Sequence, residues 1–184
     1  MYEHRSGIYA AAIGGCDRDR PGSKTSIKWL WLSALVVALD QATKYIATAA
    51  MELYESIEVL PFFNLTLVHN FGAAFSFLSD AGGWQRWFFS TLAFVVSVVI
   101  IAWLPRLRDA HFHLPLALSL VLGGTLGNLV DRVVLGYVVD FFDFHAGGRH
   151  WPAFNVADTA ITLGAFFLIL DTLRKQPEDT PSQS

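Results

Sequence analysis

The sequence predicts an all-α membrane protein with four transmembrane helices, and two observations support that fold class. First, 53% of the 184 residues are hydrophobic and only 16% are charged, whereas a soluble domain usually carries about 25% charged residues. Second, four apolar stretches reach the roughly 20 residues that a helix needs to cross a bilayer. Core helices of a soluble protein would show a recurring polar stripe, and Phe88–Leu104 has none. The predicted spans are Ile27–Thr48, Trp84–Leu104, Leu114–Val134 and Phe154–Leu173.

The distribution of basic residues predicts the orientation of these spans. Lys and Arg precede the first span, separate the second from the third, and follow the fourth, whereas Ala49–Gln85 contains neither residue type. By the positive-inside rule both termini are therefore cytoplasmic, and Ala49–Gln85 and Leu135–Pro152 face outward. The basic residues concerned are Arg18, Arg20, Lys24, Lys28, Arg106, Arg108, Arg174 and Lys175.

The remaining segments complete the predicted organisation. Ser56–Asn70 has β-branched and aromatic residues in partial alternation, with Pro61 as a break, which predicts one or two short strands. Phe71–Gly83 fits a short amphipathic helix on the membrane surface. Residues 1–26 and 174–184 are polar cytoplasmic tails that we expect to be disordered. One four-helix domain, residues 27–173, lies between them.

Four carboxylates are predicted to lie at the outer level of the membrane. Asp40 is in the outer half of the first span, and Asp131 and Asp158 each lie about one turn from the outer end of their span. Asp140 follows in the outer loop just beyond the third span. An ionisable residue within a span is costly and is a functional hypothesis by default. The outer ends of three spans therefore predict a functional site.

Two of these acids have a cation nearby in the sequence. Lys44 lies four residues after Asp40, so the two side chains share a helix face and can pair. Asp131 is followed directly by Arg132. For these acids, support of the bundle and a direct role in the site remain equally open.

Asp140 and Asp158 have no cation nearby in the sequence. Two like charges close together cannot both ionise, so such a pair shares one proton and supplies a general acid and a general base. The pair can activate a water molecule for attack on a carbonyl group. This is the arrangement of an aspartic peptidase.

Other functions remain as alternatives. Asp140, Asp143, His145 and His150 share a loop and could bind a metal ion, but their spacing matches no standard ligand pattern. Buried Asp and Asn also mark ion pathways, although these acids cluster at one surface and no polar relay crosses the inner halves of the spans. A purely structural membrane protein would not explain two unpaired aspartates. The net charge of −3 and the lack of a basic stripe argue against a nucleic-acid partner.

Five motifs, in this order along the chain, resemble the bacterial lipoprotein signal peptidase family, signal peptidase II. They cover about Lys28 to Leu173 and are "DQATK" (Asp40–Lys44), "VHNFGAAFS" (Val68–Ser76), "GGTLGNLVDR" (Gly123–Arg132), "VVDF" (Val138–Phe141) and "FNVADT" (Phe154–Thr159). The resemblance implies an intramembrane aspartic endopeptidase with a catalytic dyad at Asp140 and Asp158. Its substrates would be diacylglyceryl-modified prolipoproteins, cleaved before the lipidated cysteine.

The resemblance also implies the surroundings of the dyad. Five residues match positions that order the dyad or bind substrate, namely Asn70, Asn128, Asp131, Arg132 and Asn155. Asp40 and Lys44 are expected to support the bundle. The enzyme would act as a monomer in the bacterial cytoplasmic (inner) membrane, near the extracytoplasmic face, without a metal or another cofactor. Globomycin-type inhibitors would bind at the dyad.

Overall fold

The computed structural model describes residues 26–72, 83–107 and 112–174, which include four long helices. Helix α3 packs against each of the other three helices and is therefore the centre of the bundle. Single 3-10 turns precede the first helix and follow the second. The helices are α1 (Leu30–Ala50), α2 (Trp84–Trp103), α3 (His113–Val134) and α4 (Val156–Arg174).

Three of the four predicted spans are confirmed as membrane-spanning candidates. Within the described part of the chain, the helical segments long and apolar enough to cross a membrane are Trp84–Arg106, His113–Val134 and Val156–Leu173. Helix α1 has 21 residues but is not among them. Its polarity is the reverse of that of an amphipathic helix in a soluble protein, because the charged residues Asp40 and Lys44 lie on its buried side. Its most exposed side chains are largely apolar: Trp31, Leu35, Leu39, Tyr45 and Ile46.

A four-stranded antiparallel sheet adjoins the bundle. Its strands, in spatial order, are β1 (Ser56–Leu60), β2 (Phe63–Asn70), β3 (Val138–Ala146) and β4 (Arg149–His150). The predicted strands of the first outer segment are thus confirmed, with Pro61 in the turn between them.

The predicted β element between the first two spans is only part of the sheet, and the prediction that Asp140 lies in a loop is wrong. The sheet continues after α3, so Asp140 lies in strand β3 and not in a loop. The β-branched and aromatic residues of "VVDFFDFH" suit a strand, and β2 provides the edge against which it pairs. Residues Val68 and Asp140 are opposite one another in this pairing, and Asn70 is opposite Val138.

The start of α4 is also tied to the sheet. Phe154 forms an isolated antiparallel bridge with Phe142 of β3, so the chain is extended there and α4 begins only at Val156. The predicted fourth span therefore began two residues too early. This bridge places the first turn of α4 beside β3.

Glycines in α3 allow the helices to approach closely. A Cβ atom at Gly123 would lie 2.7 Å from the Cβ of Val36, and one at Gly127 would lie 2.6 Å from Oδ2 of Asp40. The polar face of α1 can therefore reach α3. The surface helix predicted for Phe71–Gly83 and the two tails lie almost entirely outside the described residues.

Candidate active site

Asn155 and Asp158 form a reciprocal cap at the start of α4. The backbone N–H of Asp158 donates to Oδ1 of Asn155 at 2.9 Å, and the backbone N–H of Asn155 donates to Oδ2 of Asp158 at 3.3 Å. This is the capping-box arrangement, which satisfies N–H groups that a helix start leaves unpaired. The local sequence thus fixes the position of the Asp158 carboxylate.

The side-chain amide of Asn155 connects this cap to the other candidate acid. Its Nδ2 donates to Oδ1 of Asp140 at 2.7 Å and lies 3.2 Å from the carbonyl oxygen of Val139. Asn155 is completely buried. One buried asparagine therefore contacts both predicted catalytic acids, and the structure brings Asp140 and Asp158 into one site.

Two further asparagines complete the hydrogen bonding of these carboxylates. Nδ2 of Asn70 donates to Oδ2 of Asp140 at 2.9 Å. Nδ2 of Asn128 donates to Oδ1 of Asp158 at 2.7 Å. Each acid is therefore held by uncharged amides and makes no direct ion pair among the described residues.

The environment of Asp140 favours its protonated form. Only 1% of this residue is exposed, and burial, together with the negative charge of Asp158, raises the pKa of Asp140 to about 7. Hydrogen bonds from Asn70 and Asn155 and the positive charge of Lys44 oppose this increase. Asp140 can therefore hold a proton near neutral pH while it remains able to release one.

Lys44 is the cation at the centre of the buried network. Its Nζ lies 2.8 Å from Oδ2 of Asp40 and 2.8 Å from Oδ2 of Asp131. The pairing of Asp40 with Lys44 follows the predicted spacing. The expected partner of Asp131 was Arg132, but the structure pairs this acid with Lys44. Adjacent residues of one helix point in different directions, whereas the close approach of α1 to α3 brings Lys44 to Asp131.

Arg132 lies at the edge of the same site. Its guanidinium is 5.4 Å from the ring centre of Phe89, and its Nη1 donates to the carbonyl oxygen of Asn128 at 3.3 Å. It is also within electrostatic range of Asp140 and Asp158. Arg132 is thus positioned to meet a ligand that reaches the two acids.

Asp131 links the helices to strand β3. Its Oδ2 accepts a hydrogen bond from the backbone N–H of Val139 at 3.1 Å, and its Oδ1 accepts one from Nε2 of Gln41 at 2.8 Å. Val139 directly precedes Asp140, so Asp131 fixes the backbone that carries that acid. Gln41 was not among the predicted site residues, although an amide inside an apolar span is a feature that could have indicated its role.

A cavity of about 340 Å³ opens beside Asp158 between α2, α3 and α4. Its polar end contains Asn128, Arg132 and Asp158, and the rest of its wall is largely apolar. The apolar part is formed by Phe89, Leu92, Ala93, Val96, Val121 and Ile161, with Thr125 between them. The cavity can therefore accept a ligand with an extended apolar part and a polar group at the carboxylate of Asp158.

The residues of the proposed metal alternative are only partly brought together. Nδ1 of His150 lies 2.9 Å from Oδ1 of Asp143, and its ring centre lies 5.1 Å from that of His145, but Asp140 faces the asparagines described above. In the ranges that the structure describes, no three His, Cys, Asp or Glu side chains form a group that could hold a metal ion.

Comparisons with known proteins place this chain among related sequences. The family model for signal peptidase (SPase) II matches residues 32–174. A lipoprotein signal peptidase of Alteromonas mediterranea is 54% identical over 164 residues, which cover 88% of this chain and 90% of the relative. One of Acinetobacter baumannii is 56% identical over 150 residues, with coverages of 80% and 85%.

Two solved structures are also similar to this chain. A structure described as a bacterial membrane enzyme, determined by the in meso method, is 32% identical, with a TM-score of 0.72 over 85% of this chain and 94% of that one. A second structure of the same description is 34% identical, with a TM-score of 0.70 over 81% and 94% of the two chains. The family model spans well over half of the chain, and the relatives match most of its length, so this protein belongs to the signal peptidase II family.

Proposed function

We propose that this protein is an intramembrane aspartic endopeptidase that removes the signal peptide from prolipoproteins. Its substrates are diacylglyceryl-modified, and cleavage occurs before the lipidated cysteine. The observation that carries this proposal is the pair of acids, the buried Asp140 and the half-buried Asp158, both hydrogen-bonded to the single residue Asn155. Membership of the signal peptidase II family supports the reaction class, and relatives named lipoprotein signal peptidase support the substrate class.

In the proposed mechanism the two acids have different roles. Asp140, whose pKa is raised to about 7, holds the shared proton and donates it to the carbonyl oxygen of the scissile peptide bond. Asp158 is the base, because its carboxylate accepts hydrogen bonds from Asn128 and from the backbone N–H of Asn155, and it lies in the first turn of α4, where the helix dipole favours an anion. Asp158 takes a proton from a water molecule, whose oxygen attacks the carbonyl carbon. The tetrahedral intermediate then collapses and the C–N bond breaks. The leaving nitrogen takes the proton from Asp158, and a hydroxyl group of the intermediate returns its proton to Asp140 as the new carboxyl group forms.

The proposed substrate path uses the cavity beside Asp158. A signal peptide is an apolar helix or extended segment within the membrane, and the cavity combines an apolar wall with a polar end at Asn128 and Arg132. Asn70 approaches Asp140 from strand β2. We assign contacts with the polar backbone of the substrate to Asn70 and Arg132, and ordering of the dyad to Asn128, Asp131 and Asn155. Globomycin-type inhibitors would occupy the same place.

We further propose that α1 is the fourth span and that both termini are cytoplasmic. The exposed side chains of α1 are apolar and suit lipid, while its charged residues face α3. The first outer segment lacks Lys and Arg, which favours a position of the sheet and the dyad at the extracytoplasmic face of the bacterial cytoplasmic membrane. We also propose that the enzyme acts as a monomer.

The proposal is tested by cleavage of a diacylglyceryl-modified prolipoprotein by the purified wild-type, Asp140→Asn and Asp158→Asn proteins. Each substitution removes the acid or the base with little change in size, so cleavage should be lost while the protein remains folded. The double variant should be no worse than either single variant, since the two residues act as one unit. Asp143→Asn removes another carboxylate from the same strand and should retain turnover. Near-wild-type turnover of either dyad variant would refute the proposal.

A chelator separates this mechanism from metal-dependent hydrolysis. We expect the rate to be unchanged in EDTA. A rate that EDTA abolishes and zinc restores would instead implicate the histidines His145 and His150.

A further inference from the structure

Lys44 makes one contact in addition to the ion pairs that neutralise its two carboxylate partners. It is 3% exposed, and its ion pairs with Asp40 and Asp131 account for a supporting role in the bundle. Its Nζ also donates to Oδ1 of Asn128 at 3.0 Å. Asn128 is the residue whose other amide atom donates to the proposed base, Asp158.

We propose that Lys44 is a positioning residue of the active site, which holds the amide of Asn128 in the orientation that donates to Asp158 and places a positive charge within reach of the dyad. The inference rests on the proposed function, because it assumes that Asp140 and Asp158 are the catalytic pair. It assigns to Lys44 a role in turnover in addition to support of the bundle.

The orientation of Asn128 follows from the chemistry of its neighbours. Its Oδ1 accepts from Nζ of Lys44 and from Nδ2 of Asn155 at 3.1 Å. Both neighbouring groups are donors and cannot accept a hydrogen bond from an amide NH₂. A flipped amide would place its NH₂ against an ammonium group and its oxygen against a carboxylate. Lys44 thus excludes the orientation that would leave Asp158 without this donor.

The charge of Lys44 acts on the same pair. The charged groups around it are Asp40 on α1, Asp131 and Arg132 on α3, Asp140 on β3 and Asp158 on α4. Burial and the charge of Asp158 raise the pKa of Asp140, and Lys44 is one of the groups that limit this increase. Removal of Lys44 should therefore raise the pKa of Asp140 further and move the alkaline limb of the pH–rate profile upward.

A single substitution of Lys44 would not separate positioning from support. It leaves Asp40 and Asp131 without a cation, and an uncompensated buried charge is strongly destabilising whichever role is correct. The test therefore uses the Asp40→Asn background, in which one carboxylate charge is removed together with the cation. Asp40→Asn/Lys44→Met has neither charge nor donor at position 44. Asp40→Asn/Lys44→Gln has no charge but retains an amide donor for Asn128.

The measurements are the folded yield, the melting temperature in detergent and the pH dependence of kcat on a diacylglyceryl-modified prolipoprotein. We expect the Met variant to lose about tenfold or more in kcat per folded molecule, and the Gln variant to recover part of that loss. Both should show an alkaline limb about one pH unit higher than Asp40→Asn alone, because a neighbouring opposite charge has been lost. Gly123→Ala disturbs the same α1–α3 contact away from the dyad and should lower the melting temperature with an unchanged kcat.

Two results would overturn the inference. One is a Met double variant with the kcat and pH profile of Asp40→Asn alone, which would leave Lys44 with support only. The other is a Gly123→Ala variant that is destabilised as much as the Met variant and loses as much kcat. The loss of kcat would then follow from a loosened bundle and not from the absence of Lys44. Should the Met variant not fold, the Gln variant decides by its pH profile, and an unshifted alkaline limb counts against the proposal. Asp140→Asn is measured in parallel, and its turnover tests the proposed function independently of Lys44.

Discussion

Replacement of Asp140 by Asn should stabilise the protein more at alkaline than at acidic pH. The folded-state pKa of Asp140 is raised from 3.8 to about 7, above the value in the unfolded chain. The carboxyl group therefore favours the folded state at low pH, and this contribution is lost as the pH rises from about 4 to about 7. The amide of the Asp140→Asn variant does not titrate and would carry no such dependence.

The size of the effect follows from the two pKa values. Relative to a carboxyl group that stays protonated in both states, the titration of Asp140 lowers the unfolding free energy by about 2 kcal/mol at about pH 5.5 and by about 4 kcal/mol at about pH 8.5. Relative to wild type, Asp140→Asn should therefore gain about 2 kcal/mol in unfolding free energy between these two pH values. The substitution also places an amide NH₂ against the donors from Asn70 and Asn155, but that cost is the same at both pH values and cancels from the difference.

The assay is unfolding in detergent micelles at both pH values, for wild type, Asp140→Asn and Gly123→Ala. The glycine variant introduces no ionisable group, so its destabilisation should be equal at the two pH values. If the difference between wild type and Asp140→Asn were also independent of pH, Asp140 would be ionised throughout the range. The assignment of the shared proton to Asp140 would then be wrong.

Three further outcomes are expected. The alkaline limb of kcat/KM for a lipidated substrate should lie near pH 7, where Asp140 loses its proton; a rate that continues to rise well above that pH would contradict its role as the acid. Asn155→Ala removes the side chain that holds Asp140 and caps the helix of Asp158, so it should lower kcat by about 100-fold. The control variant Asn64→Ala removes only a contact with His145 and should leave kcat unchanged. Equal effects of the two variants would show that Asn155 does not order the dyad. Gly124→Ala should reduce the folded yield, because its Cβ would collide with the carbonyl oxygen of Ala157, and a normal yield would mean that the helices can separate without cost.

The location of the site could be predicted because charge inside an apolar span is costly. Asp131 and Asp158 lie in helices that are otherwise apolar enough to cross a membrane. Their positions along the chain therefore already indicate that the two acids lie at the same depth in the membrane. The reciprocal cap of Asn155 and Asp158 is local, and its spacing is visible in the sequence. These features depend on neighbouring residues of one helix and need no knowledge of the fold.

Other features depend on contacts between distant segments and could not be predicted. Asn128 and Asp131 repeat the spacing of Asn155 and Asp158, but they lie within α3, where no N–H group needs a cap, and Asp131 pairs with Lys44 of α1 instead. Strand β3 forms only because β2, more than sixty residues earlier, supplies its partner edge. The local pattern of residues 138–146 was compatible with either a loop or a strand.

The hydrogen bonds of Asp140 have a consequence for biosynthesis. This acid is held by Asn70, which precedes it by 70 residues, and by Asn155, which follows it by 15 residues. Asp158 lies later still, in α4. A chain synthesised only as far as β3 therefore lacks both the proposed base and the amide that joins it to the proposed acid. The enzyme should remain latent during insertion and become active in one step when α4 takes its place, so that an unfinished molecule cannot cleave neighbouring membrane segments.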